Sequence, residues 1–351
     1  MTAPAIFRRF PALADRIPWT PLGSFPTPVE RLALAGLEGE VWVKRDDLSG
    51  EPYGGNKVRK LEFLLAAARR RGAKRLVTAG ALGSHHALAT TVYGRALGFD
   101  VSLVLFPQPV TEHVRRVLLA DHALGAELRY VPRMELVPAA LRAVRFAHRR
   151  EGAVIIPPGG SDAMGTLGYV AGALELAEQV EAGSAPRPDA VYVAAGTLGT
   201  AAGLALGFAL AGLEVRVQAI RITGRIVAHE GALARLVRQA ARLLGAAGLE
   251  ERGLADRALR LLELRHDQVG LGYGRETEAG RRAAELLAGA GIGLDPTYTA
   301  KAAAGLLAEL EARPGGVHLY WHTLSAREPI AAAAADERDL PAPFRRALGR
   351  S

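Results

Sequence analysis

The chain has 351 residues, 49% of them hydrophobic and 23% charged, with a formal net charge of +8. That length supports one large or two moderate domains with a buried core, and the absence of cysteine excludes disulfides and thiolate metal sites. The first ten residues lack the apolar core of a signal peptide, and no stretch is long and apolar enough to span a bilayer, so a cytoplasmic protein is expected.

Residues 1–35 carry Pro11, Pro18, Pro21, Pro26 and Pro28 and read as irregular. Residues 40–44 alternate as a strand with Val41 and Val43 on one side, and Arg45-Asp46-Asp47 leads to Gly54-Gly55-Asn56-Lys57. Leu61, Leu64, Leu65 and Ala68 then recur at helical spacing, predicting a helix with one buried stripe that stops at Gly72. Asn56 suits the cap of that helix and Lys57 falls in its first turn, where the helix dipole disfavours an ammonium. A lysine made easier to deprotonate acts as a nucleophile toward a carbonyl or as a base. The alternative is a solvated lysine. Only five lysines (Lys44, Lys57, Lys60, Lys74, Lys301) stand among many arginines, which favours a task that arginine cannot perform, such as holding pyridoxal phosphate as a Schiff base. A P-loop fails because Asn56 separates Gly55 from Lys57 and Val58 follows.

Strands at 75–78, 101–106, near 128–131 and at 153–157 alternate with helices to about 97, near 111–124 and near 134–150. A helix near 164–181, a strand at 189–194, a helix near 200–211 and a strand at 215–222 continue the pattern. Residues 229–264 read as helical and Arg-rich. Helices at about 276–289 and 299–312 and a strand at 317–321 follow, and the Ala- and Arg-rich stretch 331–351 is expected to be partly disordered. Alternating strands and helices predict an α/β protein with mostly parallel sheets flanked by helices. The basic clusters Arg69-Arg70-Arg71, Arg115-Arg116, Arg149-Arg150 and Arg281-Arg282 lie apart without interleaved aromatics, as solvated helix faces do; nucleic-acid binding is not expected.

Two loops suit anions. Gly196-Thr197-Leu198-Gly199-Thr200 follows a buried strand and opens a helix, so N–H groups and two hydroxyls can face a phosphate; a tight turn needing glycine only for its shape is the alternative. Ser84-His85-His86 starts another helix, where a carboxylate could rest. Adjacent histidines diverge on a helix and lack a third ligand, so no metal is expected, and Ser84 lacks a nucleophile elbow.

Together these residues resemble the fold-type II pyridoxal-phosphate enzymes of the tryptophan synthase β-subunit kind, and within them the aminocyclopropane-carboxylate deaminase and D-cysteine desulfhydrase family. The resemblance spans roughly residues 20–325. It rests on Lys44-Arg45-Asp46-Asp47, on Gly54-Gly55-Asn56-Lys57 with Arg59-Lys60-Leu61-Glu62, on Gly159-Gly160-Ser161 with Gly165, Gly168 and Tyr169, and on residues 294–301. It implies two domains, 56–164 small and 1–55 with 165–351 large, with the cofactor in the cleft between them.

By that resemblance Lys57 bonds the cofactor and moves the α-proton, Asn56 lies beside it, and residues 196–200 cradle the phosphate. Ser84, His85, His86 and Gly160 contact substrate, Ser84 either at its carboxylate or as a catalytic nucleophile; Tyr298 and Tyr273 line the site as catalytic groups, and Thr299 meets the pyridine nitrogen. The implied reaction is β-elimination from a small amino acid to a 2-oxo acid and ammonia, in a homodimer. Ring opening, β-replacement, racemisation or cofactor binding without catalysis are the alternatives. The chain departs from the family at Ser84-His85-His86, where Asn usually follows Ser and meets the cofactor ring oxygen, so that His85 would replace it. It departs also at Gly80-Ala81-Leu82-Gly83 and at His322-Thr323-Leu324-Ser325. Thr299 stands where the true deaminases tend to carry Glu.

Overall fold

The computed structural model describes residues 2–34, 36, 38–328 and 336–349. The chain opens with α1 (Ala5–Arg9), and β1 (Val29–Leu32) pairs antiparallel with β2 (Glu40–Arg45). The proline-rich start is therefore not wholly irregular. Ile6 and Phe7 bury a short helix in the core, and β1 sits at a sheet edge, where flanking prolines interrupt no ladder.

There follow α2 (Lys57–Arg70), β3 (Arg75–Ala81), α3 (His85–Ala96), β4 (Asp100–Phe106), α4 (Glu112–Ala123), β5 (Glu127–Tyr130), α5 (Val137–Ala147) and β6 (Val154–Ile155). Their strands form a four-stranded parallel sheet, β5-β4-β3-β6. The remainder comprises α6 (Ala163–Glu181), β7 (Ala190–Ala195), α7 (Gly199–Ala211), β8 (Arg216–Arg221), α8 (Glu230–Ala246), α9 (Leu254–Leu261), β9 (Leu262–Arg265), α10 (Glu278–Gly289), α11 (Thr299–Ala312), β10 (Val317–His322) and α12 (Ala342–Ala347). It completes a six-stranded sheet in the order β1-β2-β10-β7-β8-β9, parallel apart from β1.

Residues 229–264 are not helical throughout. Leu262 and Leu264 pair with Val217 and Ala219, so the open edge of β8 draws the last residues into β9. Each sheet is covered on both faces, as parallel sheets require. In β7, Val191 and Val193 face the helices α6 to α9 while Ala190 and Tyr192 face α10 and α11. The smaller sheet packs Leu76, Val101 and Leu103 under α2 to α4, and Val77, Ala79 and Val104 under α5.

The helix α2 was expected to bury one stripe, and it buries two sides. Leu61, Leu64 and Leu65 join the core of the four-stranded sheet, whereas Phe63 joins that of the six-stranded one. Arg59, Lys60 and Glu62 are buried as well: α6 closes over Arg59, residues 159–161 over Lys60, and residues 19–23 over Glu62. That closure needs glycine: a Cβ at Gly168 would stand 2.2 Å from the Arg59 carbonyl oxygen, and one at Gly165 2.1 Å from the Gly160 carbonyl oxygen. The expectation for residues 331–351 falls partly outside the described residues. Within 336–349, α12 is formed, and Leu340, Phe344 and Leu348 are buried against the four-stranded sheet's core.

Candidate active site

Five candidate loops leave the carboxyl end of a parallel strand, where open α/β sheets build their sites, while Tyr298 and Thr299 follow α10. Ser84 follows β3, Gln108 follows β4, residues 159–161 follow β6, residues 196–200 follow β7, and Thr323 follows β10. A surface cleft of about 700 Å³ lined by Asp189, Arg216, Arg257 and Gly316 lies at the opposite strand ends.

The turn before α2 is pinned by the chain's later residues. Gly54 N donates to Ser325 Oγ (2.9 Å), Asn56 N to the Thr323 carbonyl (3.1 Å) and Gly55 N to the Asp46 carbonyl (2.9 Å). Gly55 has φ +84°, and a Cβ there would stand 2.7 Å from the Thr323 oxygen. The Asn56 side chain does not cap α2. Its Oδ1 accepts from Lys57 Nζ at 2.6 Å, and its Nδ2 donates to Thr200 Oγ1 at 3.2 Å. Burial pushes the Lys57 ammonium down to about 8, against a weaker pull from Asp295. The expected direction is present, with desolvation as its main cause.

Beneath this turn lies a buried ionic network. Arg59 bonds both Asp46 (2.8 and 2.9 Å) and Glu175 (2.9 Å), and Lys44 Nζ meets Glu175 at 2.6 Å. Tyr169, Trp321 and Thr27 donate to Asp46 at 2.7, 2.8 and 2.9 Å. Burial alone would raise the Asp46 carboxyl, but Arg59, Lys44 and Trp321 bring it down to about 2. The network ties α2 to β2, α6 and β10, which gives a physical reason for Arg59, Asp46 and Tyr169 in the motifs.

The loop 196–200 is a tight turn packed closely against residues 159–161 and Lys60. Leu198 has φ +70°, the one positive value at a non-glycine among the described residues. A Cβ at Gly199 would stand 2.5 Å from Ser161 Oγ and 3.0 Å from Lys60 Nζ. Ser161 Oγ also lies 2.8 Å from Thr197 Oγ1. Lys60 is 2% exposed, and among the described residues its Nζ bonds the Gly159 carbonyl (3.1 Å) and Ser161 Oγ (3.2 Å), with no carboxylate in ion-pair range. Burial, then Lys57, holds its ammonium well below the ordinary value. A buried amine with no carboxylate in ion-pair range, facing a glycine loop, fits a phosphate, whose charge would favour the ammonium. Gly160, with φ +63°, backs onto Lys60. Sequence reasoning gave no role to Lys60 or Ser161, although Lys60 lies three residues from Lys57 on one helix face.

Tyr298 and Tyr273 meet hydroxyl to hydroxyl at 2.6 Å, and a Cβ at Gly196 would touch the Tyr298 ring at 3.4 Å. Burial raises both phenols, Tyr273 to about 12, so both remain protonated. Asp295 organises this corner, accepting from the N–H groups of Thr297, Tyr298 and Thr299. Thr299 Oγ1 donates to Asp295 Oδ2 at 2.7 Å.

Ser84 caps α3, its Oγ accepting from Ala87 N at 3.2 Å. His85 turns toward Tyr53, bonding its hydroxyl through Nδ1, and its ring lies on that of His113. Burial first, then His113, brings its imidazole down to about 4. His86 points back to β3, its Nε2 2.9 Å from Thr78 Oγ1. Among the described residues no group of three or more acidic or histidine side chains could hold a metal ion, and no helix is long and apolar enough to cross a membrane.

Two mostly parallel sheets joined by a helix that starts on a half-buried lysine, near a glycine loop, define a fold-type II lyase frame. A family model described as pyridoxal-phosphate dependent enzyme matches residues 20–323. The chain belongs to that family and uses pyridoxal phosphate. It is 38% identical over 324 residues (89% of this chain, 94% of the other) to a nocardicin C-9' epimerase from Nocardia uniformis subsp. tsuyamanensis. It is 38% identical over 304 residues (83% and 88%) to a D-cysteine desulfhydrase from Klebsiella pneumoniae strain 342. Among solved structures, one titled as an ACC deaminase homologue superposes with a TM-score of 0.76 at 33% identity, covering 95% of this chain and 97% of that one. The fold class and the resemblance read from the sequence are thereby borne out, and the chain is a pyridoxal-phosphate-dependent lyase or deaminase.

Proposed function

We propose that the chain eliminates the β-substituent of a small D-amino acid of the cysteine kind, taking up water and giving a 2-oxo acid, ammonia and, from cysteine, hydrogen sulfide. The observation that carries this is the half-buried Lys57, its amine bonded through Asn56 to Thr200 of the glycine loop. The desulfhydrase relative supports the substrate class.

Pyridoxal phosphate, when bound, supplies an electron sink for charge developing at the substrate's α-carbon. Lys57 would hold it through Nζ, and residues 196–200, Ser161 and Lys60 would hold its phosphate. Thr299, oriented by Asp295, would face the pyridine nitrogen. With an ammonium brought down to about 8, Lys57 has an accessible neutral amine that takes the α-proton. Ser84 and the N–H groups opening α3 would receive the substrate carboxylate. The Tyr298–Tyr273 pair, protonated and hydrogen-bonded, would deliver a proton to the leaving group. Residues 56–164 would act as the small domain and 1–55 with 165–351 as the large one, in a cytoplasmic homodimer. Both the division and the assembly rest on the resemblance.

The test is the near-visible absorbance of the purified protein before and after D-cysteine, with pyruvate assayed. A band that shifts with pyruvate release supports the reading, and a Lys57→Ala variant with full turnover overturns it. The epimerase relative favours a second reading, in which the proton returns to the α-carbon from the opposite side. Deuterium entering the α-position from solvent without pyruvate would select it.

A further inference from the structure

The Ser84-His85 turn has a second lining that the elimination chemistry does not use. A Cβ at Gly83 would stand 3.1 Å from Gln108 Nε2 and 2.8 Å from Val114 Cγ2, so the turn touches both the loop after β4 and the first turn of α4. His113, beside Val114, lays its ring on that of His85, with centroids 4.8 Å apart and planes 32° apart. Gly274, next to Tyr273, packs against the loop after β4: a Cβ there would stand 3.2 Å from Pro109 Cδ. Gln108 and His113 therefore sit where α4 meets the loop carrying Tyr273. Close by in the chain, Val110 and Leu271 are exposed.

Gln108 Oε1 and His113 Nε2 are buried and have no hydrogen-bond partner among the described residues. Buried polar atoms are ordinarily paired, and an unpaired one is destabilising until something bonds it. An amide carries both donor and acceptor, and a neutral imidazole carries one of each. Burial keeps both His85 and His113 neutral near pH 7. A lining that is polar, uncharged and unsatisfied favours a neutral hydrogen-bonding group over an ion.

We propose that Gln108 and His113 are specificity-determining residues, forming a subsite for an amino-acid side chain that extends beyond its β-carbon and carries a hydroxyl or amide. The inference rests on the reading of this site as an amino-acid lyase. With the carboxylate at Ser84 and the start of α3, the side chain runs past His85 to α4, and its polar end bonds the two unpaired atoms. Cysteine itself would leave them unbonded.

Homoserine and norvaline test this, because they have the same length and differ by a terminal hydroxyl against a methyl. Neither bears a β-leaving group. Each enantiomer is titrated calorimetrically into the full chain loaded with pyridoxal phosphate, with the near-visible band followed in parallel. In the wild type, homoserine of one configuration is expected to bind about tenfold more tightly than norvaline. His113→Leu and Gln108→Leu should each bring that ratio to within about twofold, and His113→Gln should keep it. Equal binding of the two ligands to the wild type overturns the subsite. So do leucine variants that weaken both ligands alike with the ratio intact, which marks a structural role. Protein that shows no near-visible band and binds neither ligand removes the lyase reading as well, whereas a responsive band without preference removes the subsite alone.

Discussion

Lys57 Nζ bonds the side chain of its own chain neighbour, Asn56, at 2.6 Å, and the same amide reaches Thr200 at 3.2 Å. The amine and the glycine loop are thus held in register by one residue. A neutral acceptor leaves the lysine's proton affinity to be set by burial, which brings it to about 8. Asn56→Asp would put an anion there and favour the ammonium. The rate at which apoprotein takes up pyridoxal phosphate, followed by absorbance, should rise through about pH 8 in the wild type. In Asn56→Asp that rise should move about one unit or more upward.

Lys60 gives a second expectation. Replacing a buried cation that bonds a phosphate removes a charge-assisted hydrogen bond worth about 1.5–3 kcal/mol. Lys60→Met should therefore weaken cofactor retention by roughly 10- to 150-fold, read by equilibrium dialysis. Unchanged retention would leave Lys60 with only its bonds to Gly159 and Ser161.

The ionic network beneath the site predicts an acid limb of stability. Asp46 is brought from an ordinary carboxyl value near 4 to about 2 by Arg59 and its neighbours. A depressed folded-state value means that its contribution is complete above about pH 4 and is lost as pH falls through about 2. Asp46→Asn should flatten that limb in pH-dependent melting. It should also destabilise the protein at neutral pH by about 3–5 kcal/mol, since Arg59 and Lys44 would then be opposed by Glu175 alone.

Gly168→Ala tests the close approach of α6 to α2. The added methyl would meet backbone, 2.2 Å from the Arg59 carbonyl oxygen, and only a shift of one helix relieves it. Overpacking of this kind costs about 1–3 kcal/mol, and here the shift carries Lys57 with it. Calorimetric melting and cofactor affinity should fall together. A loss of stability with full affinity would show that α2 moves as a rigid piece.

The strand–helix alternation, the start of α2 on Lys57 and the glycine loop at 196–200 were legible because each has a local signature in spacing or composition. The double burial of α2 was less so: Arg59, Lys60 and Glu62 look solvent-facing until α6, residues 159–161 and residues 19–23 are placed over them. The strand β9 carries no signature of its own, since four residues beside a helix become a strand only through the edge of β8. The direction of His85 was hidden for a similar reason. Its ring is set by Tyr53 and His113, each 28 or more residues away in the chain.

The bonds that pin Gly54 and Asn56 come from Ser325 and Thr323, and the first of these pairs is 271 residues apart. A growing chain emits Lys57 early and its clamp late. At about 5–20 residues per second, roughly 10–50 s of synthesis separate the two. During that interval the amine can exist without its assembled pocket. Capture of an aldehyde in the finished geometry therefore belongs to the end of translation, and a nascent chain halted before residue 323 should emerge colourless.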